Sequence, residues 1–278
     1  MRHTNSLPLD RAPIEGSRTA DRRLGMLLGR VRVGSRTLHG IVEGDTIHVV
    51  RGGLFGRLER TGESFTAREA TLLAPTAPTK VVAIGLNYRT HLGDERDAPA
   101  NPEPFLKAPS SVIGAGEPIV LPADAGRVDE EGEVVAVIGR RARNLTEDQV
   151  DDHVLGYTGG NDVSARHWPR DDLQWWRAKS ADSFTAVGPF IATDLDPERI
   201  GLRVSVNGEV VQQATTADLI HSVRKCIAWI SRSMTLERGD LVFTGTPGET
   251  RQLAPGDSVR VEVEGVGFLV NPVVAESP

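Results

Sequence analysis

Cysteine, lysine and long apolar runs are what this chain has least of. One cysteine in 278 residues, Cys226, excludes an internal disulfide and any zinc site built on several thiolates. No apolar run approaches the roughly 18–20 residues needed to cross a bilayer, so no membrane partner is expected. The first 23 residues lack an apolar signal core, and Asp10, Glu15 and Asp21 argue against a transit peptide. Cations do not dominate either: 32 Lys and Arg against 38 Asp and Glu leave a net charge of −6 at pH 7. A nucleic-acid groove would show a clustered excess of Lys and Arg, so that partner is not expected. Together these absences read as a cytoplasmic protein. Lysine is confined to Lys80, Lys107, Lys179 and Lys225 in an arginine-rich chain. Each is a departure from the default, and a weak pointer to a site wanting a compact ammonium.

What is present is an ordinary globular mix, 39% hydrophobic and 25% charged, sized for one large domain or a main domain with a small one. Met1 to Arg23 has no apolar periodicity and reads as a disordered tail. RLGMLLGRVRV, TLHGIVEG and DTIHVVRGG then read as short strands punctuated by Gly34-Ser35 and Gly44-Asp45. LLAPTAPTK (72–80) is the linker candidate. Beyond it KVVAIG, EVVAVIG, VLGYTGG, LRVSVNGEVVQ, DLVFTG and SVRVEVEGVGFLV are strand-like, and Asn207-Gly208 marks a hairpin. Two helices are expected, over 146–154 behind a Thr cap and over 215–234. The second places Leu219, Ile220, Val223, Ile227, Ile230 and Met234 on one face. The fold class is α+β, rich in β.

VDEEGEVVAVIG (128–139) carries the most chemistry. Side chains alternate along a strand, so Glu131 and Glu133 share a face, with Gly132 adding no bulk between them. Adjacent carboxylates repel, and a bound cation removes that cost. The plainer alternative is a charged strand entrance. Asp162, in YTGGNDVSARH (157–167), would complete an oxygen-only site suited to Mg²⁺ or Mn²⁺ better than Zn²⁺; alone it reads as an Asx turn. In GLNYRTHLGDERD (85–97), a helical segment would set His91 beside Asp94 and Glu95. A carboxylate partner would fix the imidazole tautomer and raise its basicity, as a water-activating base requires. A lone loop histidine is more often merely solvated. Trp175 and Trp176 read as packing residues rather than recognition residues.

NYRTH (87–91), PFLKAPSSVIGAGEPIVLP (104–122), VDEEGEVVAVIGRRARNLT (128–146), GYTGGNDVSAR (156–166), WWRAKSADSF and GPF (175–190), LVFTGTPG (241–248) and LAPGDSVRVEVEGVGFLVNPV (253–273) occur in that order. Together they resemble the fumarylacetoacetate hydrolase family, over about residues 79–273. The resemblance implies a mixed β-sandwich roll over 79–278, a small N-terminal β domain over 24–73, and a homodimer. It implies a divalent metal on Glu131, Glu133 and Asp162, and a lid bearing His91 as base. Lys179 would face the substrate, and Arg166 and Thr246 would contact it. Lys107 falls in a motif segment and is either a substrate contact or a surface or subunit contact.

Departures from the family pattern are Asp94 followed by Glu95 after the lid histidine, Glu130 after Asp129, His167 after SAR, and GETRQ after TGTP. The implied activity is metal-dependent hydrolysis of a C–C bond in a 2-oxo or 1,3-diketo acid, an acylpyruvate- or fumarylacetoacetate-like compound from aromatic catabolism. Decarboxylation of an oxaloacetate-type β-keto acid, or isomerisation of a 2-hydroxy-diene-dioate, would use the same site. A non-catalytic metal- or ligand-binding protein is the remaining alternative.

Overall fold

A computed structural model describes residues 25–93, 97–172 and 174–277. The tail expected over Met1–Arg23 and the side chains of Asp94 and Glu95 lie outside those residues. Alternating apolar residues build a meander of β1 (Leu27–Val33), β2 (Arg36–Glu43), β3 (Thr46–Arg51) and β4 (Glu59–Thr66), turning at Gly34 and Gly44, both at φ 58°. There L-residues are strained and glycine is not. Next come β5 (Thr71–Leu72), β6 (Val81–Gly85), a single turn α1 (Arg89–Leu92), β7 (Glu103–Lys107), β8 (Val112–Ile113), β9 (Ile119–Leu121), β10 (Val128–Asp129) and β11 (Gly132–Ile138). The central stretch holds β12 (Val154–Asp162), β13 (Ser164–Ala165), α2 (Trp168–Asp171), α3 (Trp176–Ser180) and β14 (Thr185–Ala192). The chain closes with β15 (Gly201–Val206), β16 (Glu209–Thr215), α4 (Val223–Ser233), β17 (Leu241–Phe243), β18 (Ser258–Val263) and β19 (Gly267–Ala275).

The main sheet runs β4-β3-β2-β1-β14-β12-β11-β17-β6-β7, with β5 on β1 and β8 on β14. A second sheet, β16-β15-β18-β19-β9, packs on one face of it. Because β1 pairs antiparallel with β14, the N-terminal strands continue the main sheet instead of standing beside it. Leu28 and Val31 of β1 are wholly buried.

β11 is the middle of the molecule. Val134, Ala136 and Ile138 face the second sheet, while Val135 and Val137 lie on the opposite face, clustered with Val81, Ala83, Leu241 and Phe243 of the adjoining strands. Burial on both faces is why EVVAVIG is continuously apolar, each buried valine contributing about 1.5–3 kcal/mol. Gly132 marks a close approach of the sheets: a Cβ there would fall 2.2 Å from Cγ2 of Val204.

Both helix expectations are corrected. Residues Glu147–Asp152 form a 3₁₀ helix, with the expected Thr146 cap as part of a capping box. The long helix over 215–234 divides in two. Thr215 and Asp218 do form a capping box, but over one 3₁₀ turn, Thr216–Asp218, and α4 starts afresh behind Ser222, whose hydroxyl accepts from Lys225 N. Asn87 is the cause. Its carbonyl accepts from Ile220 N, and its side chain accepts from His221 N and donates to His221 O. Those bonds hold 220–221 away from helical geometry.

Candidate metal centre

β11 and β12 pair with Gly132 opposite Asn161, which brings Glu131 and Glu133 beside Asp162. Carboxylate oxygens of the three lie within 4.8 Å of one another, and the residues are 4%, 1% and 1% exposed. Each is held in place. Asn161 Oδ1 accepts from Glu131 N at 2.9 Å, Gly245 N donates to Glu133 Oε2 at 2.6 Å, and Asp162 N donates to Glu131 O at 2.8 Å.

Cations converge on the same oxygens. Lys179 Nζ, from α3, donates to Glu131 Oε2 at 2.5 Å and Asp162 Oδ2 at 2.7 Å. Lys107 Nζ, from β7, pairs with Asp162 Oδ1 and donates to Phe184 O at 3.1 Å. Arg166 Nη2 reaches Glu131 Oε1 at 2.7 Å, and its Nε donates to Asp129 Oδ2 at 2.9 Å. Asp129 also accepts from Arg127 and from the Thr250 hydroxyl, so it anchors the guanidinium that touches Glu131.

The acid groups respond differently to this crowding. Burial, reinforced by Asp162, pushes Glu133 well above the usual carboxyl range. Burial also acts on Asp162, but Lys107 and Lys179 outweigh it and hold that carboxyl low. Glu130, buried behind the cluster, is pushed up to about 7, chiefly by desolvation. Its oxygens accept from Arg251 N at 3.1 Å and Gly132 N at 3.3 Å. Burial lowers Lys107 despite its bond to Asp162, whereas Asp162 and Glu131 lift Lys179 against its own burial. Three oxygen donors, one of them destabilised as an anion, suit a hard divalent cation.

Thr246 and His91 meet the cluster through one loop. Gly245 N binds Glu133, and Gly248 O lies 2.7 Å from His91 Nδ1. Thr90 Oγ1 accepts from Gly248 N, fastening α1 to that loop a second time. α1 stops at Leu92, with Gly93 at φ 71°, and the expected pairing of His91 with Asp94 or Glu95 falls outside the described residues. Thr246 Oγ1 accepts from Gln212 Nε2 at 3.0 Å, and Gln212 Oε1 accepts from Gly132 N between the two glutamates.

Asn161, Asp129, Gln212 and Thr250 were not expected as site residues. Asn161 is the only one with a local signal, being next to Asp162; the others act through pairings distant in sequence. Of the two tryptophans expected to pack, Trp175 is 45% exposed with its ring against Phe105, and Trp176 is 66% exposed. Among the described residues, no helix is long and apolar enough to cross a membrane.

Residues 80–274 match the family model for the C-terminal domain of fumarylacetoacetate (FAA) hydrolase, and residues 26–75 match the Rv2993c-like N-terminal model. The structure is similar to that of 5-carboxymethyl-2-hydroxymuconate delta-isomerase from Mycobacterium smegmatis, with 42% identity, a TM-score of 0.86, and 90% of this chain and 100% of that one covered. It is also similar, at 27% identity and TM-score 0.76, to maleylpyruvate hydrolase from Sphingobium sp. SYK-6 in complex with manganese(II) ion and pyruvate; 91% of this chain and 100% of that one are covered. Among curated proteins it is 40% identical to the mitochondrial oxaloacetate tautomerase fahd2 of Xenopus laevis, over 73% of this chain and 68% of that one.

Proposed function

The chain belongs to the fumarylacetoacetate hydrolase family, and on that premise we propose that it is a divalent-metal-dependent enzyme acting on a 2-oxo acid through its enol form. The observation that carries this is the convergence of Glu131, Glu133 and Asp162 with Lys179 across two of them. When bound there, Mg²⁺ or Mn²⁺ supplies a Lewis acid for the carboxylate and neighbouring oxo oxygen of the substrate. Lys179 adds a fixed ammonium where oxygen charge grows, and Arg166 a guanidinium on the same side.

His91 moves the proton. A backbone carbonyl only accepts, so the bond to Gly248 O requires hydrogen on Nδ1 and leaves the Nε2 lone pair free in the neutral ring. That nitrogen takes a proton from C3 of the oxo acid and delivers one to the oxygen at C2, giving the enol; the reverse transfers restore the keto form. Similarity to a tautomerase and an isomerase at 40–42% identity puts this reaction first. Hydrolysis is the second reading, favoured by the likeness to maleylpyruvate hydrolase. There the same nitrogen would deprotonate a water that attacks the remote carbonyl. A homodimer is part of the proposal, and sedimentation at micromolar concentration should give twice the chain mass.

The test follows oxaloacetate and a panel of acylpyruvates with Mg²⁺ or Mn²⁺, by loss of enol absorbance and by CO₂ release. Loss of the enol signal without CO₂ or acid release supports tautomerisation. Release of a carboxylic acid from an acylpyruvate supports hydrolysis. No metal-dependent turnover of any of them overturns the proposal.

A further inference from the structure

Trp175 and Trp176 are conspicuous because indoles usually bury their large apolar area, and this chain has only 4 tryptophans. Trp175 precedes α3 by one position, four residues before Lys179. Its ring meets Phe105 edge-on, with centroids 5.5 Å apart and an interplanar angle of 73°. Phe105 in turn carries Lys179 Nζ 5.1 Å from its ring centroid, and that ammonium touches Glu131 and Asp162. Carboxylates, ammonium, phenyl ring and indole thus form one line of contacts from the metal centre to solvent. Gly85, ending β6, backs both rings: a Cβ there would lie 3.9 Å from Phe105 and 4.0 Å from Trp175. The line therefore passes the strand end from which the chain turns toward His91.

Lys179 is already shared by Glu131 and Asp162, and among the described residues the other charges beside these rings do not suit an anion. Arg177, on α3, is bound to Asp172 at 2.7 and 3.1 Å and stacks over Trp168 at 4.8 Å. Glu103 is exposed and stands two residues before Phe105 on β7, hence on the same face. A carboxylate at the outer end of a substrate would meet aromatic faces and Glu103.

Given the function proposed above, on which this step rests, we propose that Phe105 and Trp175 form the subsite for the end of the substrate remote from its oxo-acid group, and that this end is apolar and uncharged. Trp175 acts as a specificity residue, closing over a hydrocarbon tail that leaves the metal centre past Lys179.

Binding to Mn²⁺-loaded protein, read by tryptophan fluorescence quenching and calorimetry, tests this with three probes. Pyruvate has no tail, 2-oxooctanoate has an apolar tail, and 2-oxosuberate has the same length but ends in a carboxylate. The expected result is 2-oxooctanoate roughly tenfold tighter than pyruvate, with 2-oxosuberate no tighter than pyruvate. Trp175→Ala should bring the octanoate-to-pyruvate ratio, taken within the variant, close to one. Trp175→Phe should keep most of it, and Trp176→Ala all of it. Equal or tighter binding of 2-oxosuberate overturns the inference, as does an unchanged ratio in Trp175→Ala. An unchanged ratio with a halved sedimenting mass would make Trp175 a subunit contact instead. If Mn²⁺ binds but none of the probes does, the proposed function itself falls; if pyruvate binds without the tail preference, only the subsite falls.

Discussion

His91 Nδ1 lies 2.7 Å from the carbonyl oxygen of Gly248, so the backbone, through an acceptor that never titrates, sets the tautomer of the proposed base. Removing the ring should remove proton transfer and little else. His91→Ala is expected to lose about 10²–10⁴-fold in turnover while Mn²⁺ affinity, measured by calorimetry, stays within a factor of about two. Near wild-type turnover of an acylpyruvate or of enol-oxaloacetate by this variant would remove His91 from the mechanism.

A pH prediction follows from Glu130. Its folded value of about 7 lies above the ordinary 4.5, so between those values the folded protein holds a proton that the unfolded chain has released. Stability from this group is therefore present below about pH 4.5 and is lost as pH rises through about 7. The full shift corresponds to about 3 kcal/mol. Melting in EDTA should show Tm falling between pH 5 and 8, and Glu130→Gln should flatten the fall. A Tm that rises across that window in both proteins would refute this assignment.

Gly132 separates the two glutamates and meets the second sheet. Gly132→Ala puts a Cβ 2.2 Å from Val204 Cγ2, so the sheets must part or β11 must shift. The expected cost is about 1–3 kcal/mol in urea unfolding, with weaker Mn²⁺ binding because Gly132 lies between two of the proposed ligands. Val204→Ala in the same chain should recover part of the loss. If Gly132→Ala alone is neutral, the close approach of the sheets is not a constraint.

Cys226 is wholly buried, and burial pushes its thiol up to about 12. The reactive species is the thiolate, so iodoacetamide at pH 8 should leave the folded protein unmodified and label it only in denaturant. Labelling of the folded protein within minutes would show that α4 opens readily.

How far the sequence could be read depended on how local each determinant was. β11 was legible because two buried faces demand an unbroken apolar run, and the Glu131–Glu133 pair because alternation along a strand is a property of neighbours. Asn207-Gly208 carries its own turn geometry, with both residues at positive φ. The helix over 215–234 was misread because Asn87, far earlier in the chain, takes the hydrogen bonds of Ile220 and His221. Asp129 and Gln212 were illegible for the same reason: each acts on a partner that only the fold brings near. An indole's usual burial did not show that Trp175, although packed against Phe105, keeps much of its surface exposed.

The seam between β1 and β14 has a consequence for how the molecule is assembled. Leu27 and Leu28 pair with Ala192 and Ile191, and on that side only the short β5 covers the far end of β1, so this end has no partner until most of the chain has emerged. Until then the Leu27–Leu28 end of β1 is an open edge, the kind of surface through which chains join one another. Closing so long a loop is entropically slow, and β14 must at the same time take its place beside β12, which ends in Asp162. Completion of the carboxylate cluster and concealment of the vulnerable edge are therefore late, shared events of folding, and chains interrupted before them should aggregate rather than persist as partly active species.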